Sequence, residues 1–230
     1  MTLRTNARIA GITFLAYIVT GISGLILFHN ASLGATTAAR LASIASHATL
    51  VRCSALLTML EFIYPLVLAA TIYALTRDID RDLALLAAAC RFAEGVLSAM
   101  AADQRLELLS IATASTTATG AGAAAALAQG DLMFAGSAIV PSICFVCGST
   151  IYSFLFLRGR NIPAVIAWLG VFASLLLLVA LPVQMAGFLH GTVLNLMWIP
   201  MALFEVVLAV WLIAKGVSMP VRRPSPSTVS

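Results

Sequence analysis

The sequence predicts an all-α protein, a polytopic bundle of six transmembrane helices, and three observations lead to this prediction. Apolar residues make up 61% of the 230-residue chain and charged residues only 10%, whereas soluble domains average about 45–50% and about 25%. Most of the apolar residues fall into six long runs. Each run reaches the ~20 residues that a helix needs to cross the ~30 Å hydrocarbon core of a bilayer. This composition excludes an ordinary soluble enzyme, a disordered chain and a nucleic-acid-binding domain.

The six predicted spans are apolar runs that end at charged or polar connectors. They cover residues 9–28, 50–76, 83–102, 132–157, 162–189 and 193–214. The first run is longer than the ~7–15-residue apolar region of a secretory signal, which favours a span. Prolines interrupt the second, fifth and sixth runs, and transmembrane helices tolerate such prolines. We therefore interpret residues 1–217 as a single transmembrane domain.

The connectors differ in composition, and the differences predict local structure. Residues 29–49 are rich in Ala, Ser and Thr, which indicates a loop with a short surface helix. Residues 77–82 and 158–161 are short and charged. Residues 103–132 begin with three charged side chains and continue with small and polar ones, so we predict an outer loop with helical character between spans three and four. The Pro- and Ser-rich residues 218–230 are predicted to form a disordered cytoplasmic tail.

Lys and Arg residues are distributed unequally between the two sides of this topology. One side holds Arg4, Arg8, Arg77, Arg81, Arg158, Arg160, Lys215, Arg222 and Arg223. The other side holds Arg40, Arg52 and Arg105. Loops that carry more Lys and Arg stay in the cytoplasm. The count predicts that both termini are cytoplasmic. We expect the chain to lie in the inner (plasma) membrane.

Several short motifs resemble one known family. They are Ala7-Arg-Ile-Ala-Gly11, Val51-Arg52, Arg91-Phe-Ala-Glu94, Leu157-Arg-Gly-Arg-Asn-Ile-Pro163, and Glu205 followed by Trp211-Leu-Ile-Ala-Lys-Gly216. In their order and spacing they resemble the bacterial multi-pass membrane family catalogued as domain of unknown function 4386, from about residue 6 to 217. The resemblance implies a six-helix plan and a membrane location. It implies no activity.

Four charged residues lie deep inside the predicted spans: Glu61, Arg91, Glu94 and Glu205. A charged side chain at the centre of a transmembrane helix costs about 2.5–3.5 kcal/mol on insertion. At ~1.5 Å per residue, Arg91 and Glu205 each lie roughly 15 Å from the cytoplasmic end, and Glu94 lies one turn beyond Arg91 on the same face. Glu61 lies roughly 24 Å from that end. Three of the charges therefore share one depth, and Glu61 lies further outward.

Three carboxylates and one guanidinium cannot all be ionised in a dry interior. One Arg can hold one or two carboxylates through bidentate hydrogen bonds. The remaining carboxyls are protonated or face water, because desolvation disfavours their charged form. Glu61 has no evident cation at its own depth in the sequence, so we expect it to be protonated or hydrated. The cluster of Glu61, Arg91, Glu94 and Glu205 is our candidate site for a small polar or ionic ligand, or for a proton.

No cofactor or metal site is predicted. Cys144 and Cys147 have C-x-x-C spacing but lie inside an apolar run without a nearby cation, which is more typical of helix packing. The histidines His29, His47 and His190 have no ligand-type spacing. The expected partners are the lipid bilayer and the small ligand, and no nucleic acid.

Three functions fit these observations. The first is transport or sensing of a small polar or ionic ligand at the charged cluster. The second is an intramembrane enzyme for a lipid-like substrate, with one glutamate as general acid or base. The third is a structural or partner-binding subunit in which Arg91 only clips helices together, since buried ion pairs can fix packing without adding stability. A cavity that reaches Glu61 or Glu94 would favour the first two, and a dry, paired cluster would favour the third.

Overall fold

The computed structural model describes residues 2–135, 139–189 and 192–217. Within these ranges the chain consists of helices and the turns between them, which confirms the all-α prediction. The helices are α1 (Leu3–Ala31), α2 (Thr37–Ser46), α3 (Ala48–Thr76), α4 (Arg81–Ser115), α5 (Ala121–Ala135), α6 (Ile139–Gly159), α7 (Ala164–Met185), α8 (Thr192–Met197) and α9 (Ile199–Ala214). The tail predicted at 218–230 lies outside the described residues.

In the part of the chain that the structure describes, five stretches are long and apolar enough to cross a membrane. Four of them belong to α1, α3, α4 and α7, and the fifth is Ala121–Gly159, whose described parts are α5 and α6. Helix α9 is equally apolar but has only 16 residues. The chain is therefore a multi-pass membrane protein.

Polar side chains fix where three of the helices begin. The hydroxyl of Thr2 accepts the backbone N–H of Thr5 at 3.2 Å at the start of α1. Thr36 caps α2 in the same way, and the Asp80 carboxylate accepts the N–H of Leu83 at 3.2 Å at the start of α4. Such caps satisfy N–H groups that have no partner within the helix.

The main hydrophobic core joins α1, α3, α4, α6, α7 and α9. Helix α9 lies inside this core, because Phe204, Leu208 and Leu212 are fully buried. A Cβ atom on Gly11 of α1 would lie 2.6 Å from the carbonyl oxygen of Ala209. Glycine at this position therefore lets α1 approach α9 closely, as small residues do between membrane helices.

A second, smaller core lies where α2 packs against the C-terminal part of α4. Its buried residues include Leu41 and Ile44 of α2 and Leu108 of α4. The guanidinium of Arg40 lies 3.5 Å from the ring centroid of Phe134 on α5, a cation–π contact. This cluster packs α2 and α5 on one end of the bundle.

The segment predicted as an outer loop, residues 103–132, differs from the prediction in one respect. Residues 103–115 continue α4, and α5 begins at residue 121. Helix α4 is 35 residues long, about 52 Å at 1.5 Å per residue, and so extends well beyond a ~30 Å bilayer core. Residues 103–115 stay helical although many of them are small or polar. Leu109 and Ala112 on this part of α4 are buried against α2, which stabilises the helix there.

The predicted span 193–214 is divided into two helices. Helix α8 ends at Met197, Trp198 forms a turn, and α9 begins at Ile199 with Pro200 in its first turn. Proline lacks a backbone N–H, so it fits the first turn of a helix, where that donor would have no partner within the helix. Pro200 therefore suits the start of α9.

The connectors after α3 and after α6 meet at the end of the bundle opposite α2 and α5. The Nη1 atom of Arg158 lies 3.0 Å from Oδ2 of Asp80, and Nδ2 of Asn161 donates to the carbonyl oxygen of Leu75 at 3.2 Å. These two contacts hold the ends of α3, α4, α6 and α7 together.

Candidate functional site

Arg91 of α4 is the centre of a polar cluster inside the bundle, and its side chain is 1% exposed. Its Nη1 atom donates to Oε2 of Glu94, one turn along α4, at 2.9 Å. Its Nη2 atom lies 3.4 Å from Oε1 of Glu205 on α9. The same nitrogen lies 3.3 Å from the Tyr152 hydroxyl and 3.4 Å from that of Ser149, both on α6. One guanidinium therefore joins α4, α6 and α9.

Three aromatic rings surround the Arg91 guanidinium. The carbon atom Cζ lies 4.6 Å from the ring centroid of Phe145, 5.4 Å from that of Tyr152 and 5.6 Å from that of Phe14. Cation–π contacts of this kind are strongest where water is excluded. They help to offset the cost of burying the charge.

The two carboxylates that contact Arg91 are not equally satisfied. Glu94 uses both oxygens, since Oε1 accepts the Tyr17 hydroxyl of α1 at 2.8 Å while Oε2 accepts Arg91. Glu205 receives only the long contact from Arg91, and no other hydrogen bond to it comes from the described residues. Its side chain forms part of the lining of the adjoining cavity. Glu205 therefore keeps hydrogen-bonding capacity that protein groups do not use.

A cavity of about 480 Å³ adjoins the cluster. Its polar lining comes from Tyr17, Thr58, Glu61, Glu94, Ser98, Arg105, Ser142 and Glu205. Its apolar lining includes Ile18, Ile22, Leu25, Phe145, Trp198 and Met201. The volume lies within the ~300–1,000 Å³ range of small-molecule sites, which combine apolar walls with a few polar groups.

Glu61 lies on α3 and is half-buried in the cavity wall. In the described part of the chain it has neither an ion pair nor a hydrogen bond. A Cβ atom on Gly95 of α4 would lie 3.0 Å from the Phe62 carbonyl and 3.3 Å from Cβ of Pro65. This close approach of α4 to α3 brings Glu61 and Glu94 to the same cavity. The sequence analysis places Glu61 outward of Arg91 in the candidate cluster, and in the structure Glu61 lines the cavity with Glu94 and Glu205 but forms no hydrogen bond with Arg91.

Arg105 is a cavity residue that the sequence analysis assigned to the outer loop. Its Nη1 atom donates to the Ser54 carbonyl at 3.0 Å and to the Thr58 hydroxyl. Its guanidinium lies 5.1 Å from the ring centroid of Phe28. Arg105 lines the same cavity as Glu61 without forming an ion pair with it. The expectation that Glu61 has no cation at its depth was therefore wrong, because α4 continues past residue 102.

A sequence signal for Arg105 existed. Glu94, Ser98, Ala101 and Arg105 follow one another at intervals of four, three and four residues, which is the spacing of one helix face. All four line the cavity. The sequence analysis ended the third span at residue 102 and therefore did not assign Arg105 to the same helix face.

Among the described residues, no three His, Cys, Asp or Glu side chains lie close enough together to bind a metal ion. Cys144 and Cys147 are free thiols on α6. His190 lies outside the described residues. The carboxylates, hydroxyls and guanidinium of the cavity can instead bind a small molecule through hydrogen bonds and charge.

Comparison with known proteins identifies the family but no closer relative. A family model described as a domain of unknown function (DUF4386) matches residues 9–216. Neither curated proteins nor solved structures give a match. The matched region contains the Arg91 cluster and the whole cavity, and it confirms the resemblance that the sequence motifs indicate. The chain therefore belongs to the family of the domain of unknown function DUF4386.

Proposed function

We propose that the cavity binds a small polar or ionic ligand and that the protein transports or senses it. The single observation that carries this proposal is the 480 Å³ cavity bounded by Glu61, Glu94 and Glu205. Charged residues inside a transmembrane segment are costly and usually mark a ligand or ion pathway. Two of these three carboxylates have oxygens that no described protein group uses.

A purely structural role accounts for only part of the cluster. The Tyr17–Glu94 and Arg91–Glu205 contacts join different helices, as helix-locking residues would. Glu61 and Ser98 have no hydrogen bond to any described residue, although both line the cavity. Packing alone gives no reason for these two polar side chains, whereas a ligand does.

The backbone around the cavity also supports a binding role. The turn at Trp198 between α8 and α9 lies on the cavity wall. Irregular backbone within a membrane protein is tolerated where it lines a cavity, and transporters build substrate sites at such breaks. Both Trp198 and Glu205, one on each side of Pro200, contribute to the wall.

We propose further that the protein has six spans, with both termini in the cytoplasm of a cell whose inner membrane it occupies. The sixth span would consist of α8 and α9, because α9 is too short alone but is buried in the main core. The excess of Lys and Arg at the end of the bundle that holds Arg158 and Lys215 supports the orientation.

The binding proposal requires that water and small solutes reach Ser98. We would replace the four native cysteines by alanine and introduce Ser98→Cys, then measure its reaction with 2-aminoethyl methanethiosulfonate in membranes. The matched control is Ser174→Cys, because Ser174 is fully buried in α7 and outside the cavity lining. We expect the reagent to modify the Ser98→Cys variant rapidly and the Ser174→Cys variant slowly. Equally slow modification of both would show a closed cavity and would overturn the proposal.

A further inference from the structure

We infer that the cavity takes a monovalent organic cation, an ammonium ion with an apolar body, and that this cation and a proton compete for the carboxylates of Glu61 and Glu205. This inference rests on the proposed function and adds the chemical class of the ligand.

The charges around the cavity support a single positive charge. Glu61 of α3, Glu94 of α4 and Glu205 of α9 face Arg91 and Arg105 of α4, so the fully ionised set has one more negative charge than positive charges. Its other titratable neighbours are the hydroxyls of Tyr17 and Tyr152 and the thiols of Cys90, Cys144 and Cys147. Tyrosine and cysteine are mostly neutral near pH 7. One proton or one monovalent cation therefore neutralises the site.

The hydrogen-bonding groups indicate where the cation binds. Each oxygen of Glu94 already accepts one hydrogen bond, from Tyr17 or Arg91, which makes Glu205 and Glu61 the acceptors with more unused capacity. Ser98 is 9% exposed, lines the cavity and forms no hydrogen bond within the described residues. Its hydroxyl is therefore free to contact a molecule that enters the cavity. An ammonium group at this position would gain charge-assisted contacts to the carboxylates, and Ser98 would supply a further acceptor.

The size and walls of the cavity indicate an organic cation. A bare metal ion or proton would leave most of the 480 Å³ unfilled. The rings of Phe145 and Trp198 lie on the wall with their centroids 6.0 Å apart. Phe145 already faces Arg91, so Trp198 offers the available aromatic surface. Ammonium groups bind aromatic faces, and Met201 and Ile18 add surface for an apolar body.

An anion is the less favoured ligand. Arg105 also lines the cavity, but one of its nitrogens is occupied by the Ser54 carbonyl and the Thr58 hydroxyl. A Cβ atom on Gly21 would lie 3.5 Å from Oε1 of Glu61, and one on Gly24 would lie 3.5 Å from Nη1 of Arg105. These glycines are three residues apart, about 4.5 Å along α1. Glu61 and Arg105 therefore lie beside neighbouring turns of α1 without forming an ion pair, so an anion near Arg105 would also lie near the Glu61 carboxylate.

The test uses tritiated benzylammonium, which carries three N–H donors, and the purified full-length protein in a scintillation proximity assay. Its neutral carbon isostere, ethylbenzene, and the anion benzylsulfonate are the competing compounds. We expect saturable binding near pH 8, competition by the unlabelled cation only, and a progressive loss of binding below about pH 5, where carboxylates take up protons. Equal competition by the neutral isostere would overturn the inference, because it would show a merely apolar site.

Substitutions then locate the binding. Glu205→Gln and Glu61→Gln should each weaken the cation by about tenfold or more, because each removes a charge-assisted contact. The matched control is Glu107→Gln, since Glu107 is exposed on α4 outside the cavity, and it should bind as the parent does. Thermal melting of each variant confirms that it is folded. Unchanged binding in both cavity variants would also overturn the inference.

Three outcomes separate this inference from the proposed function. Preferential competition by benzylsulfonate that is lost in Arg105→Gln would mean an anion site and would contradict the cation. If none of the three compounds binds while Ser98→Cys is still modified rapidly, the cavity is open but the ligand class is wrong. If Ser98→Cys is not modified, the proposed function itself fails.

Discussion

Arg91 and Glu205 are 114 residues apart in the sequence, yet the Nη2 atom of Arg91 lies 3.4 Å from Oε1 of Glu205 inside the bundle. The contact joins α4 to α9. Through Glu94 and Tyr17 the same cluster also reaches α1. One buried cation therefore links the first and last described helices of the core to α4.

The first prediction concerns Arg91. The substitution Arg91→Leu leaves Glu94 and Glu205 buried without their cation, and breaking a buried ion pair in this way costs about 3–5 kcal/mol. The melting temperature in detergent should therefore fall clearly below that of the parent. Arg52→Leu is the control, because Arg52 is exposed on α3. Equal melting of Arg91→Leu and the parent would mean that the cluster does not hold the helices together.

The second prediction concerns Tyr17. The substitution Tyr17→Phe removes the 2.8 Å hydrogen bond to Oε1 of Glu94. A hydrogen bond to a charged group contributes about 1.5–3 kcal/mol, so thermal unfolding should show a loss of this order. Tyr73→Phe is the matched control, because the Tyr73 hydroxyl has no hydrogen bond to any residue that the structure describes. A Tyr17 variant as stable as the Tyr73 variant would contradict the assigned role.

The third prediction concerns Glu61. Because its carboxylate has no hydrogen bond or ion pair among the described residues, Glu61→Gln should fold as the parent does. Its carboxyl group faces a cavity, so it should exchange its proton as the pH changes. Infrared carboxyl bands followed from about pH 5 to about pH 9 should contain a protonated-carboxyl band that fades as the pH rises.

That band should be absent from Glu61→Gln and present in the exposed control Glu107→Gln. If the two variants and the parent give the same spectra over the whole range, Glu61 does not titrate. Ligand binding that depends on pH would then have to come from Glu205 alone.

The fourth prediction concerns topology. Single cysteines at Arg158 and Ser227 should react only with reagents applied from the cytoplasm, and one at Thr117 only with reagents applied from outside. The reason is that Arg158 lies at the Lys- and Arg-rich end of the bundle, whereas Thr117 lies between α4 and α5 at the other end. Opposite accessibility of Arg158→Cys and Ser227→Cys would contradict an even number of spans.

The sequence alone determined the class of protein and indicated four of the charged residues that lie deep in its spans. Span length and the cost of burying charge are properties of single helices, so they can be evaluated residue by residue. The contact between Arg91 and Glu94 follows from their separation of three residues within one helix. The family was also recognisable, because short motifs at fixed spacing suffice for that purpose.

Only the tertiary structure decided which helix faces meet. Glu205 reaches Arg91 because α9 packs in the core beside α1, and Tyr17 reaches Glu94 because α1 lies on the other side of that carboxylate. Arg105 joins the cavity because α4 continues as one helix to Ser115. Hydropathy reports how apolar a segment is but not the direction in which its side chains point. Rotation and helix length are set by packing between segments far apart in sequence, and these decide which charges meet in the cavity.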